Sequence, residues 1–172
     1  LEIMNQRINH YLQMLYMPSV RVESHIKELD STGIDTLVVN LGSVEVKKIS
    51  SGEYNRLRLA FLAAREEFLR SSGGVLILDE IDSNLSGKES MSVAKVLEVL
   101  SKKYQIFAIS HQPQLSSRAD MHFLVSKDEQ GSHVRLLDKE ERVEELARMV
   151  SGEKIHEAAL EFASSLMAQN RD

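Results

Sequence analysis

An α/β fold with a mainly parallel sheet flanked by helices is what this chain of 172 residues predicts. Two observations carry it. The run VLIL at 75–78 is unbroken and apolar, as expected of a strand covered on both faces of a sheet, and residues 88–103 then place Val93, Val96, Leu97 and Leu100 at helical spacing. A further β segment, QIFAIS at 105–110, follows, and strand, helix, strand in succession is the pattern of a parallel crossover.

The remaining elements follow in chain order. Leu1, Met4, Ile8, Tyr11 and Leu15 recur with the three-and-four spacing of a heptad seam, and Pro18 stops the segment. Such a stretch is either an ordinary amphipathic helix or the end of a longer coiled coil; a start inside a heptad favours an excised fragment. VRVESHI, DTLVVNL and SVEVKKI, between 20 and 49, read as strands separated by STG and by Gly42-Ser43. Residues 53–70 carry Leu57, Phe61, Ala64 and Phe68 at helical spacing, and SSGG at 71–74 ends that helix. HFLVSK at 122–127 and HVRLL at 133–137 flank a polar Asp128 to Gly131 loop, the layout of a hairpin. From Lys139 two helical stretches run onward, broken near Ser151 and Gly152. There is no internal repeat.

Composition narrows the class. With 42% hydrophobic and 27% charged residues the chain is an ordinary globular sequence, sized for one core. No apolar run approaches the ~20 residues that cross a bilayer, no basic segment with an apolar stretch opens the sequence, and cytoplasm is the default location. The absence of cysteine excludes disulfides and thiolate zinc sites. A formal net charge of −5 argues against polyanion binding by the overall field, so any DNA contact needs local patches or other parts of a larger protein.

The chemistry concentrates after the VLIL strand. In open parallel sheets ligands sit beyond the carboxyl ends of the strands, where Asp79 and Glu80 fall. An aspartate there can hold a nucleotide-bound magnesium, and the next residue, on the other face, can orient an attacking water, which is the arrangement of a Walker B motif with its catalytic glutamate. Acids after a strand are also common as loop residues or caps, so companion motifs decide. Upstream, Ser50, Ser51 and Gly52 precede a helix, and Ser50 with Glu53 fits a capping box. The same turn would present backbone N–H groups and a positive helix end to a phosphate. Downstream, His111 follows the QIFAIS strand; it is either a structural histidine or a group able to contact a γ-phosphate.

Taken in order, these motifs resemble the C-terminal half of an ABC-type ATPase head. That resemblance implies that Ser50, Ser51, Gly52 and Glu53 form the signature facing the ATP of a partner subunit. It makes Asp79 the magnesium ligand and Glu80 and His111 the catalytic pair, with Ser83 and Asn84 in the D-loop. More narrowly, SHQPQLSSRADMHFLVSK at 110–127, DEIDSNLSG at 79–87 and ERVEELARMVSG at 141–152 closely resemble the RecN family of bacterial DNA repair proteins. Those are SMC-like ATPases with a coiled coil between the two halves of each head. The resemblance implies that residues 1–17 end a coiled-coil arm and residues 18–172 form the C-terminal lobe of a P-loop head. ATP and Mg2+ are the implied cofactors. The implied partners are the protein's own N-terminal half carrying Walker A, a second copy across sandwiched ATP, and DNA, at the bacterial nucleoid.

Two departures stand out. The family's usual Ser-Gly-Gly-Glu is here Ser50-Ser51-Gly52-Glu53, and a serine forced to positive φ would be strained. No G-x-x-x-x-G-K-[S/T] loop occurs, so the chain by itself is expected to bind ATP poorly and hydrolyse little. Two other readings compete: a head segment of another SMC-like ATPase in chromosome organisation, and a non-catalytic dimerisation or scaffold module. The six histidines lack metal-ligand spacing, no G-x-S-x-G elbow is present, and Arg56, Arg58 and Arg65 suggest a solvated helix face or a DNA patch.

Overall fold

The computed structural model describes residues 1–25, 36–69, 73–82, 84–152 and 154–169, and the chain forms two units, Leu1–Ile109 and Ser110–Asp172. In the first, helix α1 (Glu2–Met14) runs to a turn at Leu15 and Tyr16. Of its expected seam Ile8, Tyr11 and Leu15 are buried, together with Leu12, while Met4 is half-buried and Leu1 exposed, and α1 packs on helix α2 (Ser51–Phe68) and strand β1 (Val20–His25). Polar groups fix the same docking. Asn9 donates to the Val20 carbonyl at 2.9 Å and accepts from the Val20 amide at 2.6 Å. Asn5 does the same with Val22, at 3.0 and 2.9 Å. One helical turn apart, the two carboxamides satisfy an edge strand as a neighbouring strand would. The Tyr11 hydroxyl donates to Glu67 at 2.9 Å, and burial, followed by that bond, pushes its pKa up to about 12.

Strand β1 pairs antiparallel with β2 (Thr36–Leu41), which turns through Gly42 at φ 58° into β3 (Val44–Glu45). The expected strand through Ile49 is cut short there, because Val46–Lys48 form a 3₁₀ turn instead. Adjacent Lys47 and Lys48 interrupt the alternation that sustains a ladder. Ile26 and the STG turn lie outside the described residues. Helix α2 leads to β4 (Val75–Leu78), then α3 (Gly87–Ser101) and β5 (Gln105–Ala108). β4 and β5 are parallel and in register from Val75↔Gln105 to Leu78↔Ala108, with the Ile109 amide extending the ladder to the Leu78 carbonyl at 2.9 Å. This crossover is the parallel component of the fold; among the described residues the other three ladders are antiparallel.

The second unit opens with the short helix α4 (Pro113–Ser116), then a hairpin of β6 (Phe123–Asp128) and β7 (Gly131–Leu136). Asp128 shapes its turn by accepting from the Gln130 and Gly131 amides at 2.8 and 3.1 Å. Helices α5 (Lys139–Ser151) and α6 (Glu157–Ala168) pack through Leu146, Ala147, Ala159 and Ala163. Gly152 at φ 75° breaks them apart, as its freedom of backbone allows. Arg142 of α5 reaches back to the carbonyls of Ser117, Ala119 and Asp120, at 3.2, 2.6 and 3.3 Å, and so ties α4 to α5.

Strand VLIL is not covered on both faces. Val75 is 57% exposed and Ile77 75%, and Phe107 and Ile109 beside them are open too. The sheet they belong to has two strands, and nothing among the described residues of its unit covers this face. Within the second unit the hairpin repeats the situation, with Phe123, Val125, Val134 and Leu136 all exposed on one face. Contiguous apolar faces of this kind mark interaction surfaces rather than ordinary solvent-facing strands.

Candidate functional site

The turn ahead of α2 is built as the S-x-x-E spacing dictates. Ser50 is the N-cap, with its hydroxyl accepting from the Glu53 amide at 3.3 Å. Glu53 reaches back to the Ser50 amide at 2.9 Å and to its hydroxyl at 2.8 Å. The bonds from the Ser50 backbone and then its hydroxyl hold the Glu53 carboxyl below the usual range. Glu53 is thus spoken for by the cap, while Gly52 is buried in the first turn. Ser51 is already helical and is absent from the described non-glycine residues with positive φ, so the strain a second glycine would have relieved does not arise.

At the end of β4 the chain bends sharply. Asp79 and Glu80 are exposed, Ile81 and Asp82 turn inward and are buried, and Ser86 caps α3 in a second box with Glu89. Glu80 and Asn84 both have left-handed backbones, φ 54° and 58°. Asparagine takes that conformation readily and glutamate does not. Ser83, the other expected D-loop residue, lies outside the described residues.

The Ser50–Glu53 turn and the acidic loop meet within the first unit. Asn55, one turn into α2, donates to the Glu80 carbonyl at 3.1 Å. Asn84 donates to the Ser51 hydroxyl at 3.3 Å. Sequence reading missed both links, since neither asparagine has a spacing signal towards the residue it bonds. His111, by contrast, belongs to the second unit, where it is exposed and followed by a turn in which the Gln112 amide bonds the Ser110 hydroxyl at 3.0 Å.

Arg56 corrects a second expectation, because it is neither on a solvated face nor in a DNA patch. It is buried, pairs with Glu89 at 2.6 Å, and donates to the carbonyls of Leu15 and Gly52 at 3.3 and 3.4 Å. One guanidinium therefore joins the end of α1, the first turn of α2 and the cap of α3. Arg58 and Arg65 do remain exposed, Arg58 lying 5.9 Å from the Tyr54 ring centre. Among the described residues no group of three or more His, Asp or Glu side chains converges as a metal site. No helix among them is long and apolar enough to cross a membrane.

A capped, glycine-containing helix start is thus linked to an acidic loop beyond a parallel strand, and solved SMC ATPase heads share the fold of the chain. The chain superposes with a TM-score of 0.63 on a structure from work on ATP-driven dimerization and DNA-stimulated activation of SMC ATPases, at 22% identity over 89% of this chain and 94% of that one. With the Smc head of Pyrococcus yayanosii, which carries a coiled coil and joint, the TM-score is 0.68 at 21% identity over 84% of this chain and 28% of that one. Sequence relatives are more specific. The chain is 47% identical over 150 residues to the DNA repair protein RecN of Helicobacter pylori strain 26695, covering 87% of this chain and 28% of that protein. It is 33% identical over 171 residues to RecN of Deinococcus radiodurans, covering 91% and 29%. No family model matches. The chain is thus similar to the RecN proteins over most of its own length, and it spans under a third of the relatives it matches.

Proposed function

We propose that this chain is the C-terminal head lobe of a RecN-type protein that couples ATP-dependent head dimerisation and hydrolysis to DNA binding during recombinational repair of double-strand breaks. The observation that carries the proposal is the meeting of signature turn and acidic loop through Asn55 and Asn84. ATP held by the protein's N-terminal half would lie against the acidic loop, and the signature would meet the ATP of a second copy. Residues 1–17 are read as the end of the arm.

In this proposal Asp79 offers one hard oxygen donor, which suits Mg2+ shared with nucleotide phosphates rather than caged by protein alone. When bound, the metal would neutralise charge on the phosphates. Glu80 accepts a hydrogen bond from the attacking water and aims it, and His111 contacts the γ-phosphate. The first turn of α2 offers backbone N–H groups and the positive end of its dipole to phosphate. The open face of Val75, Ile77, Phe107 and Ile109 is the surface that the N-terminal half would cover. DNA is contacted by the assembled protein, at the nucleoid in the bacterial cytoplasm.

Ser50→Asp tests the signature role without removing the cap, since Asp138 already caps α5 in a box with Glu141 in this chain. With the N-terminal half co-expressed, ATP should drive wild-type heads into dimers in analytical ultracentrifugation, and Ser50→Asp heads should stay unpaired. Dimers that form equally in both would refute the assignment.

A further inference from the structure

Glu80 is held in a conformation that its own side chain does not favour. The Cβ of an L-residue at φ 54° crowds the backbone, and glutamate lacks the local hydrogen bonding by which asparagine and aspartate offset that crowding. Something outside the loop has to stabilise the bend. The Asn55 carboxamide meets that need, donating from α2 to the Glu80 carbonyl at 3.1 Å. Four residues earlier, Ser51 receives the Asn84 amide at 3.3 Å. Ser51 and Asn55 are spaced i, i+4 and share one helix face, so the loop is fastened to α2 at two points one turn apart.

We propose that Asn55 is a positioning residue for Glu80: its hydrogen bond keeps the glutamate's backbone left-handed, so that the carboxylate points out of the loop, and makes that aim depend on the placement of the signature helix. The proposal rests on the reading of Glu80 as the residue that orients water. Because Asn55 and Ser51 follow Ser50 on the same helix, a displacement of α2 by nucleotide at a partner's site is transmitted to Glu80 of the same chain. Hydrolytic competence and head pairing are thereby linked through a side chain that touches neither ATP nor water.

Asn55→Asp is close to isosteric but cannot donate in its ionised form, and Asn55→Ala removes the group altogether. Two readouts apply to both variants. In the 172-residue chain without nucleotide, the Glu80 ¹³Cα shift and its HN–Hα coupling should move away from left-handed values while those of Leu57 and Val93 in the core stay put. In the head reconstituted with its N-terminal half, kcat for ATP should fall at least tenfold with KM changed less than twofold. Unchanged Glu80 signals, or wild-type kcat in Asn55→Asp when Glu80→Gln is inactive, would overturn the inference alone. Equal rates for wild type and Glu80→Gln would overturn the reading of Glu80 beneath it, and the catalytic meaning of Asn55 with it.

Discussion

Arg56→Met should destabilise the chain by breaking the junction of α1, α2 and α3. It keeps much of the aliphatic stem but removes a 2.6 Å ion pair to Glu89 and two bonds to carbonyls, those of Leu15 and Gly52. Stripping one member from a buried ion pair usually costs ~3–5 kcal/mol. Here the Glu89 side chain is 29% exposed and keeps its bonds to the Ser86 amide and hydroxyl, at 2.9 and 2.8 Å, so water and the cap absorb part of the loss. The expected destabilisation is about 2–3 kcal/mol. Urea unfolding of the chain at pH 7, followed by circular dichroism, measures it. Adding Glu89→Gln should cost less in the Arg56→Met background than in wild type, with a coupling of ~1–3 kcal/mol. A loss below ~0.5 kcal/mol for Arg56→Met, the range of an ordinary surface change, would refute the three-way junction.

Three further outcomes follow from the same contacts. The carboxyls of Glu53 and Glu89 are held low by their cap bonds, so their contribution is complete above the unfolded value near 4.5 and is lost as pH falls through the lower folded values; thermal melts between pH 6 and roughly 3 should drop less steeply in a Glu53→Gln, Glu89→Gln double variant. Val75→Thr with Ile77→Thr should alter the chain's own stability by under ~0.5 kcal/mol, since both are mostly exposed, yet weaken capture of the N-terminal half in a pull-down. Ser51→Gly removes the acceptor of the Asn84 amide and should cost at most ~1 kcal/mol in urea unfolding, with the Asn84 side-chain NH₂ resonances shifting toward solvent-exposed values.

Much of the fold was legible because local rules governed it. The VLIL and QIFA strands, the crossover helix and the Ser50 to Glu53 box each follow from periodicity or a cap spacing that acts over a few residues. The failures have a common cause in partners distant along the chain. An apolar run is buried on both faces only where a packed layer covers each of them, and Ile77 lies open. Arg56 looks like surface charge until Glu89, 33 residues away, supplies its counterion. Within the site, the order of the motifs could be read from the sequence, but the bonds by which Asn55 and Asn84 join them could not. Ser51 escaped strain because the helix begins at that residue, so its backbone is helical and not left-handed.

The role proposed for Glu80 is to orient the water that attacks ATP in the assembled head. The direct measurement is DNA-stimulated ATP hydrolysis by the chain co-expressed with its N-terminal half, wild type against Glu80→Gln, a change that keeps shape and removes charge. Loss of a general base typically lowers turnover ~10²–10⁴-fold, and a fall of that order with ATP-dependent dimers still forming is the expected result. Equal turnover in the two proteins would contradict that role for Glu80.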